Sequence, residues 1–258
     1  MLTLIAESKT MSCRERAVSP DRLSCHTPVF ETEASEIIEY LSSATTDELA
    51  IRISISHALA AKAARMIYEF PNKSTGLEAV SAFTGEVFRG IDISTVSETA
   101  KTFAASHMMI ISSLYGLLHT DDIVKPYRLD FNAPCAPDGE KLSKFWKAKL
   151  SAALLSHLKD TREKEVLDLL PAEAAKCIDW KIIKTFAKVM KVDFKTIDNN
   201  GNLKTPHSGK LKEMRGKMVR AVISEKIDNF KDLTDCHTPS FAPDHDLHNS
   251  DMAAFIVL

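Results

Sequence analysis

The sequence predicts an α+β or mixed α/β fold, with residues 1–258 forming one compact domain built on a central sheet or partial barrel flanked by helices. Three observations point there. Short apolar runs at residues 2–6, 166–170 and 253–258 read as buried strands, and longer stretches between them repeat their apolar residues at helical spacing. There is no domain-sized repeat and no linker long enough to force a second domain. A length of 258 residues is enough to bury one substantial core.

In chain order, residues 2–6 are the opening strand and residues 7–33 a long polar connection with two prolines. Residues 33–43 read as a helix with Ile37, Ile38 and Leu41 on one face. An alanine-rich helical region covers 47–68, with a break near Ser54 to Ser56, and Pro71-Asn72-Lys73 is a turn. Residues 77–83 read as a short helix, and residues 84–90 as a hairpin-like connection holding Gly85 and Gly90. A helix is expected over 97–118, with Phe103, Met108, Ile111, Leu114 and Leu118 in its apolar stripe. A polar turn at Thr120-Asp121-Asp122 leads into a strand at 126–131, which puts Tyr127, Leu129 and Phe131 on one face and Arg128 and Asp130 on the other. After a Pro/Asp/Gly loop at 132–140 come a helix at 141–158, the strand at 166–170 and a near-helical turn at 179–183. Residues 188–197 alternate as a strand should, turn at Asp198-Asn199-Asn200-Gly201 and return through Leu203. A helix over 208–224 and the strand at 253–258 close the chain.

Composition narrows the function. Eight glycines and the lack of a P-loop or Rossmann fingerprint argue against a glycine-rich nucleotide-binding protein. No apolar run approaches the roughly 18 residues that a membrane helix needs. The first residues lack the basic start and long apolar core of a signal peptide. Five cysteines, widely spaced and never Cys-x-x-Cys, suit free thiols in a reducing cytoplasm. The net charge of −2 hides an asymmetry: residues 141–231 hold 21 Lys+Arg against 11 Asp+Glu. Such a lobe is either a phosphate-facing surface or a lysine-rich solvated exterior.

Several residues are candidates for chemistry. Lys9 follows the opening strand, and ligands of α/β sheets gather beyond strand C-terminal ends. In the 208–224 helix, Leu211, Met214, Met218 and Val222 form the core stripe, and Lys210, Lys212, Lys217 and Arg220 fall outside it. Arg215 projects between Leu211 and Val219, so it needs a carboxylate, a carbonyl or a ligand anion. Gly216 inside a helix costs about 1 kcal/mol against alanine, which points to close approach by another backbone or a ligand. Residues 77–113 resemble in outline a helix-hairpin-helix, although Glu86, Val87, Phe88 and Arg89 separate its glycines. Cys25-His26, Cys236-His237 and Asp244-x-Asp246-x-His248 hold ligand types without structural-zinc spacing, so neither a metal nor a cofactor is expected.

Residues 114–130 resemble the signature of the bacterial YaaA family, the peroxide-stress proteins. Leu114, Tyr115, Gly116, Leu118, Asp122, Pro126, Tyr127, Arg128 and Leu129 match, Asp130 stands for the family's Glu, and His119-Thr120 replace its Arg-Pro. Lys212, Arg215, Gly216, Met218 and Arg220 match a second family run, Lys-x-x-Arg-Gly-x-Met-x-Arg. Near the N-terminus the family has Ser-Pro-Ala-Lys-Thr; here Lys9 and Thr10 match, and Ala6, Glu7 and Ser8 do not. Asp168 to Glu173 stands where the family has an Asn-Leu-Ala-Ser-x-Glu run; the Asn, Ala and Ser are lost, and Glu173 matches the acid.

The resemblance implies a cytoplasmic protein with a positively charged cleft. It implies binding of double-stranded DNA and protection against hydrogen peroxide by limiting free intracellular iron. On that footing Lys9, Arg128, Lys212, Arg215 and Arg220 are the expected DNA or anion contacts, and Thr10, Tyr115, Tyr127 and Glu173 the expected cleft lining. Two rivals remain. One is an enzyme on a small anionic or nucleotide-like ligand, with Lys9, Arg128, Arg215 and Glu173 converging and Tyr115 or Tyr127 donating a proton. The other is an iron-binding protein using the Cys/His tails. A deep pocket fed by distant segments would favour the enzyme, and a long open basic groove would favour DNA.

Overall fold

The computed structural model describes residues 1–12, 14, 16–17, 26–71 and 75–258. Cys25 of the Cys-His pair, and Asn72 and Lys73 of the expected turn, lie outside the described residues. In chain order the elements begin with β1 (Leu2–Ala6), β2 (Arg16–Ala17), α1 (Glu31–Ser42), α2 (Thr46–Arg52), α3 (His57–Glu69), β3 (Thr75–Glu78), α4 (Ala79–Ala82), α5 (Glu86–Ile91) and α6 (Glu98–His107). They continue with β4 (Met108–Ser112), β5 (Gly116–His119), β6 (Ile123–Val124), α7 (Leu142–Asp160), β7 (Glu165–Asp168), α8 (Ala172–Ala175) and α9 (Trp180–Ile183). The last are β8 (Lys188–Ile197), β9 (Leu203–Lys204), α10 (Ser208–Glu225), α11 (Phe230–Thr234), β10 (Phe241–Pro243) and β11 (Met252–Val257).

The expected mixed α/β architecture is present. Its core is an open eight-stranded sheet in the order β10-β11-β8-β7-β1-β4-β5, with β9 hydrogen-bonded to β8. It does not close into a barrel. β11, β8, β7, β1 and β4 run parallel. β5, β9 and β10 attach antiparallel. A small antiparallel sheet, β2-β3-β6, stands beside it. Every residue of β1 and β4 is buried, as expected when both faces of a parallel sheet are covered. No helix among the described residues is long and apolar enough to cross a membrane.

The largest correction concerns residues 97–118. The helix stops at His107, and the apolar run after it is the β4–β5 hairpin, with Ile110 opposite Leu118 and Ser112 opposite Gly116. A continuous apolar run suits a buried strand as well as a helix, and here burial on both faces decides. Gly116 permits the turn: its φ is +69°, and a Cβ there would lie 2.8 Å from Trp146. Trp146, fully buried on α7, donates Nε1–H to the Ser113 carbonyl at 2.8 Å and locks that turn in place.

Three smaller differences follow. Residues 77–83 divide between the end of β3 and the short α4, and the expected hairpin at 84–90 is largely helix α5. Residues 126–131 keep the expected alternation, with Tyr127, Leu129 and Phe131 buried, but the expected strand is absent: 126–130 form no regular element and Phe131 lies in a turn. The break expected near residue 54 is real and falls between α2 and α3; a capping box of Thr45 with Glu48 starts α2.

Candidate functional site

The order of the sheet reverses at β1: β4 and β5 come next on one side, and β7, β8, β11 and β10 lie on the other. Ligands of open α/β sheets sit beyond the strand C-termini at such a switch point. A cavity of about 350 Å³ opens there. Its lining comes from residues 5–10 at and after the end of β1, Gly85, Glu86, Val87 and Arg89 at α5, Asp130 and Phe131, Leu169, Pro171 and Glu173 after β7, and Lys212 and Arg215 of α10.

Two glycines set the position of α10. A Cβ on Gly216 would lie 2.1 Å from the Val87 carbonyl oxygen, and one on Gly90 would lie 2.8 Å from the Glu213 carbonyl oxygen. The backbones of α5 and α10 are therefore in direct contact, and the close approach expected of Gly216 is to another helix. That crossing turns Lys212 and Arg215 towards the end of β1.

Glu7 forms the acidic part of the cavity. Its Oε2 accepts the Ser113 N–H at 2.8 Å and the Tyr127 hydroxyl, and its Oε1 accepts the Ser113 hydroxyl at 2.6 Å. Burial raises its pKa to about 7, against the pull of those hydrogen bonds. The same burial, with the charge of Glu7 beside it, pushes the Tyr127 phenol well above its ordinary value. No lysine, arginine or histidine among the described residues lies within ion-pair distance of Glu7.

The basic part is of two kinds. Lys9 is bound to Asp130 at 2.5 Å, and Arg89 to Glu86. Burial disfavours ionisation of Asp130, but Lys9 and the Asn132 N–H outweigh it and hold the carboxyl below the usual aspartate range. Arg215 is different. It is half-buried, and among the described residues its guanidinium makes no hydrogen bond and no ion pair within 4 Å. Burial lowers its pKa, opposed at longer range by Asp168 and Glu173. Asp168, at the end of β7, is itself raised by burial and holds Lys191 at 3.8 Å. Lys212 is exposed at the rim and likewise unpaired among the described residues.

Of the residues expected from sequence, Lys9, Thr10, Glu173, Lys212 and Arg215 meet in this cavity. Arg128 lies next to it, donating from Nη1 to the Lys9 carbonyl at 2.9 Å, with its Nε buried and unpartnered. Tyr127 stands behind the cavity wall and touches it through Glu7. Tyr115 lies elsewhere in the core, its hydroxyl accepting the Lys125 N–H at 3.0 Å. Arg220 also lies away, donating to the Ile91 and Asp92 carbonyls at 2.8 and 3.0 Å. Sequence reasoning missed Glu7 as a site residue, although it directly follows β1, the same signal that singled out Lys9. The helix-hairpin-helix reading meets a different geometry: Gly85 caps α5 and gives its N–H to Ser8 Oγ at 3.0 Å, so this loop faces the cavity.

The profile of the family described as peroxide stress protein YaaA matches residues 1–247. A "UPF0246 protein" of Francisella philomiragia is 28% identical over 234 residues, covering 88% of this chain and 90% of its own. One from Parabacteroides distasonis is 30% identical over 232 residues, covering 89% of each chain. A third, from Francisella tularensis subsp. novicida, is 26% identical over 232 residues, 88% of this chain and 90% of its own.

Proposed function

The chain belongs to the peroxide stress protein YaaA family, and from that premise we propose that it serves peroxide defence by binding a tetrahedral oxyanion, such as the phosphate of a small nucleotide-like molecule, in the cavity beyond β1 and β7. One observation carries the reading: Arg215, half-buried and facing the cavity, has no protein acceptor among the described residues. A half-buried guanidinium with no protein acceptor is open to a ligand, and a bound oxyanion would meet it with paired, charge-assisted hydrogen bonds. Lys212 adds a second cation at the rim, and Lys9 stands in the lining paired with Asp130. A cavity of about 350 Å³ fits a compact ligand and lies within the usual range of small-molecule sites.

A second reading, duplex DNA binding with control of free iron, comes from the family resemblance and has one observation in its favour. Lys212 is exposed beside Arg215, so a phosphodiester could meet both from outside the cavity. Elsewhere on α10, Lys210 and Lys217 are held by Glu213. Among the described residues no group of three or more His, Cys, Asp or Glu could hold a metal ion.

Calorimetric titration with AMP, beside a fluorescent duplex titrated across a salt series, separates the two. The first reading expects saturable AMP binding that Arg215→Ala weakens at least about tenfold, the loss of one charge-assisted contact. The second expects duplex affinity that falls steeply with salt and drops in Lys212→Ala and Arg215→Ala alike. Failure of both ligands to bind at low salt would overturn the anion site.

A further inference from the structure

Glu7 directly follows β1 and, like Glu173 across the cavity, has no cation partner among the described residues; unlike Glu173 it is held by three protein donors. The hydrogen-bond directions around it are fixed. Ser112 Oγ accepts two backbone N–H groups, from Leu114 at 3.2 Å and Tyr115 at 2.9 Å. Its own proton therefore goes to the Tyr127 hydroxyl, 2.7 Å away, and the Tyr127 proton goes to Glu7 Oε2. With Ser113 giving its N–H to Oε2 and its hydroxyl to Oε1, three of the roughly four acceptor positions of the carboxylate are filled. The position left is on Oε1, which faces the cavity and can take a proton or a donor from water or a ligand.

The other groups around Glu7 do not neutralise it. Lys9, two residues on, is committed to Asp130. On α5, Glu86 is committed to Arg89. From the segment after α8, the Cys177 thiol is pushed up to about 12 by burial first and by Glu7 second. Across the cavity stand Glu173 and the unpaired Arg215. An oxyanion seated on Arg215 and Lys212 would be repelled by an ionised Glu7 and could accept a hydrogen bond from a protonated one.

We propose that Glu7 is an anion-binding residue of this cavity in its protonated form, a tetrahedral oxyanion binding together with one proton on Oε1 that the carboxyl donates to an anion oxygen. The proposal rests on the anion-binding reading above and adds the group that sets its pH range and its preference for acceptors over donors. Binding is then flat in pH below the Glu7 pKa of about 7. Above it, affinity falls by up to about tenfold per pH unit, because each anion must bring a proton with it.

Sulfate tests this, since its charge is constant across the range. Calorimetric titration from pH 5.5 to 8.5, repeated in buffers of different ionisation enthalpy, should show affinity falling above neutrality and uptake approaching one proton per sulfate. Glu7→Gln should bind sulfate with no such pH dependence, and Arg215→Ala should bind it poorly throughout. A short duplex run beside sulfate tells whether a DNA phosphate shares the proton link or only the small ion does. Sulfate binding in the wild type with no proton uptake at pH 7.5 would overturn the Glu7 proposal and leave the anion site standing. No sulfate binding at any pH would overturn both. The proton count comes from the unmodified protein, so it decides even if Glu7→Gln fails to fold.

Discussion

Helix α10 carries two arginines five residues apart whose surroundings are opposite. Arg220 is filled: it holds the Ile91 and Asp92 carbonyls at the end of α5, with the Asp92 carboxylate 3.8 Å away. Arg215 faces a cavity and has no acceptor among the described residues. Both matched the family run equally well, so residue identity did not separate them. What separates them is whether the protein itself supplies the counter-charge. A cation satisfied by helix-end carbonyls is scaffold, and one left bare beside a cavity is available to a ligand.

The contrast depends on the α5–α10 crossing, which aims both residues, and breaking that crossing gives the largest effect. Gly216→Leu would force a side chain into the Val87 carbonyl, backbone that cannot swing aside. We expect a loss of about 3 kcal/mol or more, measured as a lower midpoint in urea, together with loss of anion binding. Gly216→Leu at wild-type stability would mean that the two helices do not touch as described.

The next effect asks whether groups facing the cavity cost the fold stability while groups away from it contribute. Glu7 has a folded pKa of about 7, raised from 4.5 by burial. A raised acid binds its proton more tightly when folded, so its effect on stability is neutral below about pH 4.5. Stability is then lost as pH rises through about 7 and stays low above it. The loss is at most about 3 kcal/mol, read as urea midpoints between pH 4.5 and 8. Asp168, also raised by burial, acts in the same direction. Glu7→Gln should flatten most of the slope. An unchanged slope would place the titrating group elsewhere.

The two arginines then give a crossed pair of smaller effects. Arg220→Ala should cost about 1.5 kcal/mol of stability, the value of charged hydrogen bonds at a partly exposed site, and leave anion affinity within about threefold, roughly 0.6 kcal/mol. Arg215→Ala should do the reverse: affinity falls about tenfold while stability changes by less than about 0.5 kcal/mol, because no protein hydrogen bond or ion pair is lost. Equal effects of the two substitutions on both readouts would erase the distinction.

Much of this was legible in the chain because helices and amphipathic strands print their period. Met214, Met218 and Val222 are buried as the α10 stripe requires, and Arg215 stands at the margin where that stripe placed it. The β4–β5 hairpin was not legible. A strand buried on both faces loses its alternation, and Met108 to Ile111 is then simply apolar. Partnership was not legible either. Asp130 meets Lys9, 121 residues earlier, only through the fold, and Arg220 is satisfied by carbonyls that no sequence pattern marks. Glu7 was visible only as a departure from the family run, because its three donors come from Ser113 and Tyr127, more than 100 residues away.

The smallest expected effect concerns peroxide itself. A peroxide-stress protein could meet its oxidant through a thiolate, which would make the scaffold rather than the cavity the working part. Cys135, Cys177 and Cys236 are buried free thiols, with pKa values raised by burial to about 12, 12 and 11. Peroxide attacks the thiolate, and at neutral pH these groups hold almost none. Dimedone trapping and peptide mapping of the native protein after a few minutes in hydrogen peroxide should find no sulfenic acid at these three positions. Unfolding in urea should expose all three to the same reagent. Labelling of any of them in the folded state would move the peroxide chemistry into the core and leave the bare Arg215 without the role argued for it.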